Sequence, residues 1–182
     1  MTVSRLRPMQ DDDLDMVRQW RNHEDVRRYM YTQHEIGLEE HRRWFSRAQE
    51  TPGVHLLILE QNGENCGFVN ITQIHEGPVS DWSFHLAPNA PKGAGRQLGC
   101  ASLDYAFCKQ GWHKVCGEAL EFNEKSIRFH LKLGFLQEGR LREQYYHGGK
   151  FYDVLRFGIL AKEWFEIRAQ VTAKIDTAEL TV

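Results

Sequence analysis

The sequence predicts an α+β fold, with a central, largely antiparallel mixed sheet flanked by helices. Three observations carry this. Two amphipathic helical patterns come first, then three strand patterns, and a helix, a strand, a second helix and a terminal hairpin complete the order. Two strand pairs are joined by hairpin-type turns, Asn62-Gly63 and Gly148-Gly149. At 182 residues the chain suffices for one self-supporting core. That single domain is expected to span 1–169, with 170–182, which loses apolar periodicity, as a flexible carboxyl-terminal tail.

Each element has its own signal. Asp11, Asp12 and Asp13 sit where a helix start favours acidic side chains, and Leu14, Val17 and Trp20 then recur at helical spacing. A second helix follows Gly37, with Leu38, His41, Phe45 and Ala48 along one face. The loop between them carries Asn22, His23, Arg27, Tyr29, Met30 and Tyr31. Strands are expected at 54–59, 67–74 and 81–86. Residues 87–95, with two prolines and two glycines, break regular structure before Leu98, Ala101, Tyr105 and Cys108 at helical spacing. A strand at 114–122 and a helix at 124–133 follow, the helix ending at Gly134 as at a C-terminal glycine. Two strands flank Gly148-Gly149, and Trp164 and Phe165 mark a short last helix.

Composition removes several function classes. Lys and Arg total 23 against 25 Asp and Glu, a net charge of -2, so no global field draws nucleic acid or an anionic membrane. Neither partner is expected, and any anion site must be local. Cys66, Cys100, Cys108 and Cys116 have no CxxC spacing, and the first residues lack a signal-peptide core, which points to a reduced cytoplasm. The nine histidines include no pair four residues apart, so no metal is expected.

The strongest chemical signal is the segment from Ala90 to Arg96. A glycine-rich turn opening a helix aims several main-chain N–H groups at one point, where the helix dipole favours an anion. Lys92 and Arg96 add charge there, and Gly93 and Gly95 let a bulky phosphate approach. The turn is neither a Walker loop nor a dinucleotide fingerprint, because no Gly-Lys-Ser/Thr and no third glycine follow.

About thirty residues on stands Asn123-Glu124-Lys125-Ser126-Ile127-Arg128-Phe129-His130-Leu131-Lys132-Leu133-Gly134-Phe135. Together the two motifs resemble the GNAT superfamily of N-acetyltransferases, in which NxxS or NxxA opens a helix closed by Leu-Gly-Phe. The resemblance implies acetyl-CoA as co-substrate, its pyrophosphate held by the glycine turn and its pantetheine arm between strands that splay at that site. Leu86, Lys92, Gly93, Ala94, Gly95, Arg96, Asn123 and Ser126 are the implied coenzyme contacts. Most members carry a Tyr seven residues after the motif Asn to protonate the departing sulfur. Here that position is His130, and Glu118, in the strand leading to Asn123, is the implied base for the acceptor amine.

The amino-terminal third resembles the aminosugar N-acetyltransferases of pseudaminic acid biosynthesis, through Trp20-Arg21-Asn22, Val26-Arg27, Met30-Tyr31, Ile36, Glu39-Glu40-His41 and Trp44-Phe45. Those enzymes acetylate the 4-amino group of UDP-4-amino-4,6-dideoxy-N-acetyl-β-L-altrosamine, on the way to flagellin glycosylation. A uracil needs flat apolar surfaces, which Met30, Tyr31, Trp44 and Trp82 offer, and a diphosphate needs cations, for which Arg21 and His41 are candidates. Ribosomal-protein and peptide N-terminal acetyltransferases share the pattern Glu138-Gly139-Arg140-Leu141-Arg142, Gly149, Tyr152-Asp153 and Glu163-Trp164, so a peptide amine is the rival acceptor. A non-catalytic acyl-CoA-binding module is the reading from another class. Apolar strands near the carboxyl terminus are compatible with a homodimer.

Overall fold

A computed structural model describes residues 4–178. Its elements are strands β1 (Ser4–Pro8), β2 (Val54–Gln61), β3 (Glu64–Gln73), β4 (Val79–Leu86), β5 (Lys114–Leu120), β6 (Leu136–His147) and β7 (Lys150–Leu160), with helices α1 (Leu14–Asn22), α2 (Glu24–Arg27), α3 (Leu38–Glu50), α4 (Ala94–Asp104), α5 (Glu124–Lys132) and α6 (Ala161–Ala178). The seven strands lie in the order β1-β2-β3-β4-β5-β7-β6. Pairs β1–β2, β2–β3, β5–β7 and β6–β7 are antiparallel and β4–β5 is parallel, the mixed, largely antiparallel sheet that the sequence predicts. The described residues divide into two compact units, residues 4–73 with 82–98, and residues 74–81 with 99–178.

In the first unit, β2 and β3 form a hairpin whose turn residues Asn62 and Gly63 both take positive φ (53° and 87°), the twist-compatible turn. Strand β1 lies outside the sequence expectation. Its five residues, Ser-Arg-Leu-Arg-Pro, carry little strand propensity, and pairing with β2 from Ser4↔Gln61 to Pro8↔Leu57 makes them extended. Arg7 fixes the corner. Its guanidinium forks onto Asp13 at 2.6 and 2.8 Å while Nε donates to Glu60 at 2.7 Å. Burial pushes the Asp13 carboxyl up, but Arg7 and the Gln10 amide win and hold it below the usual range. Beneath α1 and α3 a core of Met9, Val17, Trp20, Phe45, Ile58, Phe68 and Ala87 is closed.

In the second unit, β4 contributes its first residues, Val79 to Asp81, in register with Lys114 to Cys116 of β5. The hairpin β6–β7 turns at Gly148 (φ 58°) and Gly149 (φ 81°), as expected. Gly134 has a double reason to be glycine. Its φ is 93°, and a Cβ there would lie 2.0 Å from Ile167 Cδ1, so α6 packs directly on this backbone. Helix α6 is longer than the short helix predicted. Trp164, fully buried, donates its Nε1–H to Asp104 at 2.9 Å, and Arg168 grips the same carboxylate at 2.7 and 2.8 Å. The stretch expected as a tail, 170–182, is thus helical to Ala178 with Val171 buried, and 179–182 lie outside the described residues.

Candidate functional site

The glycine turn sits in the first unit as the sequence places it. Pro91, Lys92 and Gly93 are exposed, Gly93 takes φ 93°, and α4 begins at Ala94, which is fully buried. Ala94 donates to the Pro91 carbonyl at 3.1 Å and Gln97 to the Gly93 carbonyl at 3.2 Å. The Ala94 amide is thus engaged within the turn, and the start of α4, flanked in sequence by Lys92 and Arg96, is where a helix dipole favours an anion. Nothing lies within 4 Å of the position a Gly93 Cβ would take, so only the positive φ demands glycine there. Leu86 ends β4, half-buried, with its methyl 3.1 Å from where a Gly67 Cβ would be.

The same unit gathers part of the expected acceptor set. His41 (4% exposed) stacks on Trp44 with ring centroids 4.8 Å apart. Trp44 meets Phe68 edge-on at 6.0 Å, and Phe68 meets His85 at 5.1 Å. Arg21, half-buried, donates Nη2 to the Thr32 carbonyl at 3.0 Å, while its Nη1 is buried without a hydrogen-bond partner. Burial and then Arg27 lower the Arg21 guanidinium from its usual value, partly offset by Glu40. Burial, Arg18 and Arg21 likewise push His41 down, which leaves it neutral at neutral pH. Tyr31 is 51% exposed and Met30 half-buried in the loop. Trp82 differs from expectation. It is buried at 5% exposure against Phe84, ring centroids 5.1 Å apart, so it serves as core and offers no open face to a base. His85, which the sequence reading missed, belongs to this cluster. A lone histidine in a strand gives no signal of its surroundings.

In the second unit, Glu118 stands on β5, half-buried, and accepts from Arg156 Nη1 at 2.6 Å. Arg156, its cross-strand partner on β7, also donates Nη2 to Asp81 of β4 at 3.1 Å. Lys114 and Glu138 pair at 2.7 Å, and a Cβ on Gly158 would lie 2.6 Å from the Glu138 carboxylate. Glu121 faces elsewhere, accepting from Arg140 at 2.9 Å and from the Asp153 amide at 3.1 Å.

The Asn123–Ser126 motif has a local job. Asn123 caps α5, its side-chain oxygen accepting from the Ser126 amide at 3.1 Å. His130 departs from the expected proton donor. It is 1% exposed, stacked on Phe157 at 4.8 Å with rings 9° from parallel, and edge-on to Phe135. Its Nδ1–H donates to the Ser126 carbonyl at 2.8 Å, a bond that favours the charged form, yet burial outweighs it and pushes the ring down to about 4. At neutral pH such a ring is uncharged, whereas protonating a thiolate requires the imidazolium, so the surroundings of His130 argue for an aromatic core residue.

All four cysteines are free thiols. Among the described residues no group of three His, Cys, Asp or Glu side chains could hold a metal ion, and no helix is long and apolar enough to cross a membrane.

Comparisons with known proteins agree with this architecture. The chain is 25% identical over 162 residues to the spermidine N(1)-acetyltransferase of Escherichia coli K12, covering 88% of this chain and 87% of that protein. It is 24% identical over 125 residues to the acetyltransferase PseH of Campylobacter jejuni, covering 67% and 76%. The crystal structure of the Vibrio cholerae spermidine N-acetyltransferase, solved with CoA and spermine, superposes with a TM-score of 0.82 at 22% identity over 89% of this chain and 98% of that one. The acetyltransferase (GNAT) domain family matches residues 4–136, from β1 through the glycine turn to the first residue of β6, and the chain belongs to that family.

Proposed function

We propose that this acetyltransferase moves the acetyl group of acetyl-CoA directly onto the 4-amino group of UDP-4-amino-4,6-dideoxy-N-acetyl-β-L-altrosamine, a step of pseudaminic acid biosynthesis. The observation that carries the choice of acceptor is Arg21, a half-buried guanidinium whose Nη1 has no hydrogen-bond partner among the described residues and which acts electrostatically on His41, itself stacked on Trp44. A cation and a flat aromatic surface suit a nucleoside diphosphate. The guanidinium repels a polyamine, whose ammonium groups call for carboxylates in its place. Glu40, half-buried nearby, is engaged with His34 at 3.1 Å. Likeness to PseH supports the reading, and the spermidine enzymes define its rival.

The residues fit the coenzyme. The exposed turn from Lys92 to Arg96, with Gly93 at positive φ and the start of α4 behind it, offers amides and two cations to a pyrophosphate, and Leu86, Ala94 and Gly95 flank the approach. The Vibrio cholerae protein's structure holds CoA, which supports this choice. Asn123 and Ser126 contribute by fixing the start of α5.

In the reaction the amine nitrogen, once deprotonated, attacks the thioester carbonyl. The C–S bond then breaks and CoA leaves as a thiolate. Glu118, held by Arg156, receives the amine's proton. His130, neutral and enclosed by Phe157 and Phe135, keeps α5 packed, and the thiolate takes its proton from solvent. The four free thiols suit a cytoplasmic enzyme.

The test is release of free CoA with three acceptors side by side: the UDP-aminosugar, spermidine and a peptide with a free amino terminus. Turnover confined to the sugar is expected. Preference for spermidine or the peptide would overturn the acceptor, and no turnover with any amine would favour a non-catalytic acyl-CoA-binding module.

A further inference from the structure

We propose that His85 completes one polar pocket with Arg21 and His41, and that its Nε2 accepts a hydrogen bond from a neutral donor on the acceptor substrate, a hydroxyl or an imide N–H. The inference rests on the nucleotide-sugar reading and deepens it. Four buried side-chain atoms among the described residues lack a hydrogen-bond partner, and three of them are Arg21 Nη1, His41 Nε2 and His85 Nε2. A buried polar atom left without a partner carries an uncompensated desolvation penalty, so three together mark a place that a ligand fills.

The three residues come from α1, α3 and β4, and a continuous run of rings joins two of them. His41 stacks on Trp44 at 4.8 Å, Trp44 meets Phe68 at 6.0 Å, and Phe68 meets His85 at 5.1 Å. Arg21 acts electrostatically on both histidines. His85 is 8% exposed and bonds to the Val17 carbonyl, one turn before Arg21 on α1. A carbonyl only accepts, so the His85 proton sits on Nδ1, the nitrogen other than the unpartnered Nε2. Burial, Arg21 and His41 push this ring down to about 3, which keeps it neutral at neutral pH.

The chemistry of the pocket follows from these roles. Arg21 Nη1 can only donate, and His85 Nε2 can only accept. A group seated between them must accept on one side and donate on the other. A fully ionised phosphate has no hydrogen for His85, and an ammonium is repelled by Arg21. A ribose hydroxyl meets both demands, and so does the edge of uracil, where a carbonyl adjoins an imide N–H.

Protein labelled with ¹⁵N-histidine, titrated with uridine and with UDP, tests this on the unmodified chain. The His85 Nε2 resonance is expected to move as the lone pair accepts a hydrogen bond. By calorimetry, His85→Phe is expected to weaken uridine and UDP about tenfold, and His85→Gln, which retains an acceptor, to weaken them less, with CoA affinity unchanged in both. In wild type, weakened binding of 3-methyluridine assigns the donor to the imide, and weakened binding of a deoxyuridine assigns it to a hydroxyl. A stationary Nε2 resonance, or UDP bound equally by wild type and His85→Phe, overturns this inference and leaves the nucleotide reading standing. Failure of wild type to bind either UDP or uridine overturns both.

Discussion

The pocket around Arg21 and the charged strip around Arg156 each set an arginine among ionisable groups, and they differ in whether those groups are paired. Arg156 closes on Glu118 and Asp81 at 2.6 and 3.1 Å, and Lys114 closes on Glu138 at 2.7 Å. Arg21 spends one nitrogen on a main-chain carbonyl and leaves the other buried and unmatched beside two histidines in the same state. Protein groups already satisfy the strip, which therefore holds its carboxylates in place. On the proposed reading, a ligand supplies what the pocket lacks. Three unmatched buried atoms gathered on neighbouring side chains thus support the proposed recognition role, whereas the matched carboxylates are held in position by Arg156.

The largest effect expected is acid sensitivity. His85 and His130 are held down to about 3 and about 4, whereas in the unfolded chain each binds a proton below about 6.5. The unfolded state is then the one that takes up protons as pH falls, so stability is full above about pH 6.5 and is lost below it. Each histidine approaches a slope of about 1.4 kcal/mol per pH unit well below 6.5, roughly 3 kcal/mol for both between pH 6.5 and 5. Urea unfolding at several pH values should show this slope, to which the lowered His41 adds, and His85→Phe or His130→Phe should each remove a clear part of it. A flat profile would mean that neither ring stays buried in solution. The same His130→Phe protein should keep kcat within about twofold, and a fall of a hundredfold would return His130 to the chemistry.

Arg156→Leu comes next. It leaves two half-buried carboxylates facing each other, and a loss of about 2 kcal/mol at neutral pH is expected, shrinking in acid as they protonate. Calorimetric unfolding in both conditions checks the sign. An equal loss at both pH values would make Arg156 a packing residue only.

Arg21→Ala should behave in the opposite sense. KM for the UDP-sugar is expected to rise about 30-fold with KM for acetyl-CoA unchanged and the melting temperature nearly so, because the arginine serves a ligand more than the fold. A large fall in melting temperature with unchanged KM would erase the contrast between the two regions. Smallest of all, Arg128→Ala removes an exposed pair with Glu124 at 3.0 Å and should shift stability by less than about 0.5 kcal/mol, a baseline for the rest.

Much of this was legible in the residues. The two glycine-bearing hairpin turns, the helix after Gly37 and the glycine turn before α4 all rest on preferences that act within a few positions. What escaped depends on distant neighbours. Strand β1 is Arg-rich and extended only through β2, and α6 runs on because Trp164 and Arg168 reach Asp104, 60 and 64 positions away. His130 was placed by motif position as a proton donor, but its charge depends on Phe157 and on burial, which a motif does not encode. Trp82 reads as a stacking surface by residue type and is core by placement. His85 gave no sign at all.

The sequence by itself determined the order and type of most elements and the glycine-rich turn before α4, because backbone conformation and periodicity are local properties, and its two motifs carried the resemblance to the family. Only the tertiary structure decided which ionisable groups are satisfied. Arg156 meets Asp81 across 75 positions, and Arg21 Nη1 meets no hydrogen-bond partner among the described residues, because a side chain's hydrogen bonds depend on what the fold carries to it.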